Sequence, residues 1–359
     1  MFFTFWDCRE IDQKNKNRRD PVSVFRYNEG MKLERRPQMA FYDFDLKGQV
    51  EKKHELWDIN ETVNFSSLVY RLKDMEKEVG RHGYGLDVGL KCVFLQFLYD
   101  LSDRQLEREL QFNIAYKWFC GFTAFEQTPD HSYFGRFRKS VGTNRMGKIF
   151  KSIVNKAKEK QLIRGVFHFA DATSIITKST TWAERDKAIK EGEEALNNSN
   201  VKKYSADAQA RFGCKGRSKF WFGYKGHIGV DMGSGLIESA AVTAANISDQ
   251  SGFKHVCPGD GQMVFADKAY CLKPAQLAMT IRGAVSGAIL KHNMIGKNKD
   301  LDRWRSSVRA PFEGVFSKFE KRARYRGHAK VQFQFFMDAI VHNVKRLVTI
   351  NSPPLFQGA

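Results

Sequence analysis

The hydrophobic pattern of the chain turns on two short apolar runs that each stop at a carboxylate, Val166-Phe-His-Phe-Ala-Asp171 and Met263-Val-Phe-Ala-Asp267. Runs of this length and composition predict buried strands that deliver an acid to the edge of a sheet. A third acid, Glu313, follows Val308-Arg-Ala-Pro-Phe and opens a segment predicted to be helical. Packing gives no reason to end an apolar strand with Asp, because an unpaired buried carboxylate is costly. Three such acids on separate elements point to carboxylates converging on a divalent cation, whose charge offsets their repulsion.

Elsewhere the period alternates between helical and extended. Helical spacing starts at Phe65 with Leu68, Leu72, Met75 and Val79. Residues 86–101 are densely apolar, Ser102-Asp-Arg-Gln105 predicts a capping box for a helix over 103–111, and a short helix is expected over 115–120. Asp130, after Pro129, is an expected N-cap for a helix carrying Arg136, Arg138 and Lys139. This unit reads either as a helix-turn-helix reader of the major groove or as a helical bundle with a solvated basic face. An amphipathic helix over 146–162 leads onward. Strand signals fill Phe220–Asp231, Met232-Gly-Ser-Gly235 is a turn, and Leu236–Val242 returns as the antiparallel partner. Helices after Asn246 and over 274–282, and a strand over 285–290, complete an α/β pattern. Its sheet is mixed, with the later strands joined by right-handed crossovers and parallel to the first. If the strands of Asp171 and Asp267 are neighbours, the two carboxylates stand about 5 Å apart. The last helix, over 331–348, has the spacing of a packing helix.

Charge changes the picture. The chain has 359 residues, a length that suits two domains, and 59 Lys and Arg against 40 Asp and Glu give +19. That excess points to a polyanion, nucleic acid foremost and an anionic membrane surface second. No apolar run approaches the roughly 20 residues of a membrane span, and the apolar start lacks the pattern of a signal peptide. Six scattered cysteines, with no Cys-x-x-Cys pair, suit reduced thiols in a cytosol. Lys14–Arg19 reads as a basic arm or a solvated loop. Residues 174–219 are polar and basic, with Lys202, Lys203, Arg211, Lys215, Arg217 and Lys219 spaced by Tyr204 and Phe212. They read as a mobile DNA-contacting insertion or a solvated loop.

Four stretches together carry a specific resemblance. They are Phe169-Ala-Asp-Ala-Thr173; Gly223-Tyr-Lys-Gly-His-Ile-Gly-Val-Asp231 with Val242-Thr-Ala-Ala-Asn246 and Asp249; Val264-Phe-Ala-Asp-Lys-Ala-Tyr270; and Val308-Arg-Ala-Pro-Phe-Glu-Gly-Val-Phe316. Their order and spacing resemble the DDE transposases of bacterial insertion sequences, in particular the IS-four/IS-five branch. Residues 94–141 resemble that family's helical N-terminal domain. The third acidic motif departs from the family pattern: Ser306 stands at the usual Tyr, and Glu320 at the usual Lys, two helical turns along the face of Glu313, with Lys321 one residue late and about 100° around the same predicted helix.

The resemblance implies an RNase H-like mixed five-stranded sheet flanked by helices, preceded by an all-α helical domain. The expected division is a poorly assigned N-terminal region over 1–80, a helical DNA-binding domain over 81–162, and a catalytic domain over 163–350 containing the basic insertion. It implies that Asp171, Asp267 and Glu313 are catalytic and hold two Mg²⁺ ions, with Mn²⁺ able to substitute. The implied reaction is hydrolysis at the terminal inverted repeats followed by joining of the 3′ ends to target DNA. The expected DNA contacts are Arg136, Arg138, Lys139, Lys215, Arg217, Lys225, His227, Arg309, Lys318, Lys321, Arg322 and Arg324. His227 reads alternatively as a structural histidine. A homodimer in the active complex and a cytoplasmic, nucleoid-associated location follow from the same resemblance. The rival readings are a catalytically impaired DNA-binding regulator and a structure-specific nuclease on the same fold.

Overall fold

In the computed structural model, which describes residues 29–30, 44–75, 81–178, 181–216, 218–259 and 261–351, capping chemistry sets where the first long helices begin. The basic run at 14–19 and Arg217 lie outside the described residues. Glu29–Gly30 (β1) pairs in parallel with Arg81–His82 (β2). Between them lie Phe44–Gln49 (α1), Glu55–Thr62 (α2) and Phe65–Val69 (α3), the last continuing as a 3-10 helix over Tyr70–Met75. Leu86–Leu98 (α4) is buried almost throughout. Asp103–Phe112 (α5) starts at the expected capping box. Gln105 N–H donates to the Ser102 hydroxyl at 3.3 Å, and Ser102 N–H donates to Gln105 Oε1 at 2.9 Å. Ile114–Cys120 (α6) follows. His131–Glu159 (α7) starts at Asp130, whose carboxylate accepts from Tyr133 N–H at 2.8 Å. Gly142, at φ 66°, divides α7 into two helical stretches, a backbone that a side chain would strain.

The second half is built on Phe167–Lys178 (β3), Arg211–Lys215 (β4), Lys219–Asp231 (β5), Ile237–Ala244 (β6), Met263–Phe265 (β7) and Val285–Ser286 (β8). β6, β5 and β3 form an antiparallel meander, and β7 and β8 add in parallel on the far side of β3. This is the RNase H-like arrangement. β8 is shorter than the expected strand over 285–290, yet its pairing continues: Gly287 N–H donates to Val264 O at 2.8 Å and Ile289 N–H to Ala266 O at 3.2 Å.

The sheet has a sixth strand that the sequence reading left out. β5 is long enough to pair twice along one edge, with β4 over residues 219–223 and with β6 over 224–230. The basic stretch before β5 therefore contains ordered elements: Trp182–Lys190 (α8), Val201–Tyr204 (α9) and β4. Asp249–Gly252 (α10) and a 3-10 helix over Phe253–His255 lead to β7, and Lys273–Arg282 (α11) crosses from β7 to β8.

After Lys299–Arg309 (α12) the chain runs as a 3-10 helix over Ala310–Lys318, then reaches His328–Asn351 (α13). The sequence reading placed Glu313, Glu320 and Lys321 on one helix, and the structure corrects it. Residues 321–323 pair instead with the far part of β3: Ile176 N–H donates to Lys321 O at 2.8 Å and Ala323 N–H to Ile176 O at 2.9 Å. Glu320 serves the intervening turn, its Oε1 accepting from Arg322 N–H at 2.9 Å.

Side chains alternate across β3, and the two faces feed two cores. Phe169 joins a large cluster with Leu56, Phe94, Phe137, Ile153, Tyr224 and Phe335, so the N-terminal helices and the sheet share apolar packing. α13 lies in this layer, against α7, β6, α2 and α4. Ala170 joins the smaller cluster of Phe253, Val264, Tyr270 and Met279 on the opposite face.

Candidate active site

Asp171 and Asp267 come from adjacent parallel strands. Phe167, His168 and Phe169 pair with Met263, Val264 and Phe265, and each aspartate lies two residues beyond the last pair. The register that buries the apolar runs therefore also brings the acids level. Local hydrogen bonds hold both: Asp171 Oδ1 accepts from Ala172 N–H and Asp267 Oδ1 from Ala269 N–H, each at 2.8 Å.

Their charge is poorly compensated. Burial, and after it the charges of Asp267 and Asp249, push the Asp171 carboxyl up to about 6; the Ala172 N–H and the Arg309 guanidinium pull it back. Tyr270 is buried beside the same three acids, and burial first and their charge second raise its phenol. A level pair of carboxylates under mutual repulsion is a hard-oxygen donor set that suits a divalent cation. Among the described residues, however, no three acidic, His or Cys side chains stand close enough together to hold an ion.

Glu313 is the member that stands apart. Its side chain is 60% exposed on the 3-10 helix, 3.7 Å from Arg309 Nη2. Arg309, at the end of α12, is buried, with its guanidinium over the Phe169 ring at 5.8 Å. It thus connects the Glu313 segment to the strand of Asp171.

Several expected DNA contacts are turned inward, which corrects the reading of them as phosphate ligands. His227 is fully buried, its Nε2 lies 2.9 Å from Thr243 Oγ1, and burial first lowers its pKa to about 4. Gly252 of α10 packs so closely on the imidazole that a Cβ there would collide with it. Lys225 is also buried, its Nζ at 2.8 Å from Ile247 O and 2.9 Å from Asp249 Oδ1. Arg138 makes two bonds to Asp103, at 2.6 and 2.8 Å, and lies over the Tyr325 ring at 5.1 Å. Arg324 is paired with Asp100 and donates to Leu101 O at 2.7 Å, so it fastens the C-terminal region to the helical part. Arg309 is buried as described.

Of the remaining expected contacts, four with described side chains, besides Arg136, lie outward. Arg136 is half exposed and donates to the Ser132 hydroxyl at 2.8 Å. Lys139, Lys215, Lys321 and Arg322 are exposed. Lys318 ends the 3-10 helix. Asp249 and Tyr270 were quoted in the motifs but given no role from the sequence. The signal that singles them out is shared proximity to Asp171, which only the fold creates.

Two family models match the chain. One, described as "Transposase domain (DUF772)", matches residues 44–140, and the other, described as "Transposase DDE domain", matches residues 169–344. Asp171, Asp267 and Glu313 all fall within the second match. Among solved structures, a piggyBac transposase synaptic complex with hairpin DNA is 9% identical, with 86% of this chain and 74% of that chain covered, at a TM-score of 0.38. A pre-cleavage Mos1 transpososome is 7% identical, covering 86% and 94%, at a TM-score of 0.15. Likenesses at those scores carry no argument. The order of the strands and the two family matches do: the chain belongs to the DDE transposases of the insertion-sequence type.

Proposed function

We propose that this transposase binds the terminal inverted repeats of its own insertion sequence, hydrolyses DNA at the element ends with Mg²⁺, and joins the freed 3′ ends to target DNA. The observation that carries this reading is the level pair Asp171 and Asp267, with a carboxyl raised to about 6 by burial and by acidic neighbours. DDE transposase domains generally use divalent metal ions. Asp171 and Asp267 would hold the metal, with Glu313, which stands apart from them in this structure, the expected third ligand, Mg²⁺ the expected ion and Mn²⁺ a substitute. A bound divalent cation supplies Lewis-acid stabilisation of charge on the scissile phosphate and lowers the pKa of an attacking water.

The chain's own residues supply orientation and charge. The Ala172 and Ala269 amides fix the two aspartates, and Arg309 orients Glu313 while moderating the negative charge at Asp171. Residues 81–162 act as the DNA-binding domain and 163–350 as the catalytic domain, with exposed Lys139, Lys215, Lys321 and Arg322 contacting phosphate. The net charge of +19 supports a polyanionic partner. The active complex is a homodimer, since two element ends must be joined, and it works in the cytoplasm on nucleoid DNA.

The test is incubation of the purified chain with a DNA fragment carrying the element's ends, with and without Mg²⁺. The expected product is a nick freeing a 3′-hydroxyl at the element end, formed only with metal. A chain that binds those ends but leaves them uncut in both Mg²⁺ and Mn²⁺ is a regulator, and the enzymatic reading of this site falls.

A further inference from the structure

At the far end of β3 from Asp171 lies a groove of about 590 Å³ that the catalytic reading does not use. Its walls are residues 176–178 of β3, 220–222 of β5 and the 322–323 segment, with Phe212 of β4 packed on Phe222 at a centroid distance of 5.0 Å. Two features distinguish it from a gap in packing. The first is aromatic exposure. Phe220, in the lining, is 69% exposed, and Trp182, next in sequence to the lining residue Thr181, is 68% exposed. A ring exposed on the wall of a groove offers a face for stacking. The second is charge. Of the titratable side chains of the lining, Lys178 is offset by Glu184 and Arg322 keeps its charge exposed, and the exposed Lys215, Lys219 and Lys321 adjoin it in sequence and register. Lys178 is held by Glu184 of α8 at 2.5 Å, which fixes its stem against the groove wall.

The groove and the acidic site share one strand. β3 runs from Asp171 to Lys178, a span of roughly 23 Å at about 3.3 Å per residue. The backbone of 321–323, which follows the Glu313 segment, is hydrogen-bonded to β3 at the groove. Exposed rings beside cations, in a groove at the far end of the strand that carries Asp171, have the chemistry that holds unpaired nucleotides: bases stack on the rings while the cations follow the phosphates.

We infer that this groove binds single-stranded DNA, taking an unpaired strand displaced from the duplex on one side of the cleavage point. The inference rests on the DNA-transposase reading above and adds a second nucleic-acid form to it. At about 3.4 Å of duplex rise per nucleotide, the groove lies within roughly seven nucleotides of the scissile phosphate, and closer for an extended strand. Phe220 is the stacking platform, and Arg322 is the phosphate contact.

The test measures affinity by fluorescence anisotropy at fixed salt for an oligothymidylate, a blunt duplex, and the same duplex with a single-stranded tail. Wild type should bind the tailed duplex more tightly than the blunt one. Phe220→Ala should lose about 5- to 100-fold for the oligothymidylate, the range that one stacked base supports, with a smaller change for the blunt duplex. Phe220→Trp, which keeps a stacking face, should retain most of the affinity. Since Phe220 is exposed, both variants should fold, and unchanged thermal unfolding checks this. Equal wild-type affinity for tailed and blunt duplex, or full oligothymidylate binding by Phe220→Ala, overturns the groove while leaving the transposase reading intact. Failure of wild type to bind any of the three DNAs overturns both.

Discussion

Arg309 Nη2 lies 3.7 Å from Glu313 Oε1, yet the arginine is buried and the glutamate is 60% exposed. The pair spans the boundary between α12 and the 3-10 helix, so the cation is fixed while the acid faces solvent. With its guanidinium over Phe169 and its charge acting on Asp171, Arg309 belongs to the acidic site rather than to the outer DNA surface. Arg309→Lys is expected to impair cleavage because the planar fork is lost. It should leave the dependence of DNA affinity on salt unchanged. Lys keeps the charge, so the salt test uses Arg309→Ala, where loss of a true phosphate contact would lower the slope of log K against log salt by about 0.9. A slope change of that size without a cleavage defect would return Arg309 to the DNA-contact surface.

Asp171→Asn, Asp267→Asn and Glu313→Gln should each abolish metal-dependent cleavage and leave DNA binding within about threefold, since each removes a metal-ligand charge and nearly preserves shape. Binding by anisotropy and cleavage on gels separate the two. Near-normal cleavage by any one variant removes that residue from the proposed set.

The raised carboxyl of Asp171 has a consequence in the metal-free protein. Its folded pKa, about 6, lies above the ordinary 3.8, so the folded state holds the proton more tightly than the unfolded one. The stability this contributes is present below about pH 4 and is lost as pH rises through about 6. His227 acts oppositely. Its pKa is lowered to about 4, so the unfolded chain takes up the proton first and stability falls as pH drops below 6.5. The two trends mask each other in wild type, and the difference from a variant isolates one. Asp171→Asn without metal should be more stable than wild type at pH 8, by on the order of 1–3 kcal/mol, with the gap closing toward pH 4. Chemical denaturation at several pH values reads this directly. A gap independent of pH would show that Asp171 is not under electrostatic strain.

Arg138 and Asp103 join α7 to α5 through a bidentate pair that is mostly shielded, with Gln96 completing it at 2.9 Å from Arg138 Nη1. Removing one partner strands the other. Arg138→Ala should therefore cost about 3 kcal/mol of stability. Asp103→Ala should cost a similar amount, and the double variant less than the sum. The salt dependence of DNA binding should not change. A stable Arg138→Ala with weakened DNA affinity would restore Arg138 as a phosphate contact.

The features legible in the sequence were those fixed by neighbours along the chain. The capping box at Ser102, the N-cap at Asp130, the turn after Asp231 and the strand before Asp267 depend on hydrogen bonds and periodicities spanning a few residues, whereas the strand expected to end at Asp171 runs on to Lys178, because β5 pairs with it along that length. Those local rules, with the family resemblance, were enough to give a mixed sheet flanked by helices; that the strands of Asp171 and Asp267 are neighbours was a condition that the structure met. The end of the Glu313 helix was not legible, because what stops it is a distant strand: Ile176 hydrogen-bonds the backbone at 321 and 323. β4 was missed for the same reason, since its pairing depends on β5 outrunning β6 along a shared edge.

Net charge shows the division most plainly. Composition determined that the protein carries +19, the excess behind the proposed polyanionic partner. Which cations remain to meet it was decided by tertiary structure, which set Asp103 against Arg138, Asp100 against Arg324 and Asp249 against Lys225. Each of those carboxylates lies far along the chain from its partner, beyond the reach of any local pattern. A cation that finds a carboxylate inside the fold is held there by a short, partly desolvated ion pair, and one that finds none stays at the surface, where the proposed DNA partner would meet it.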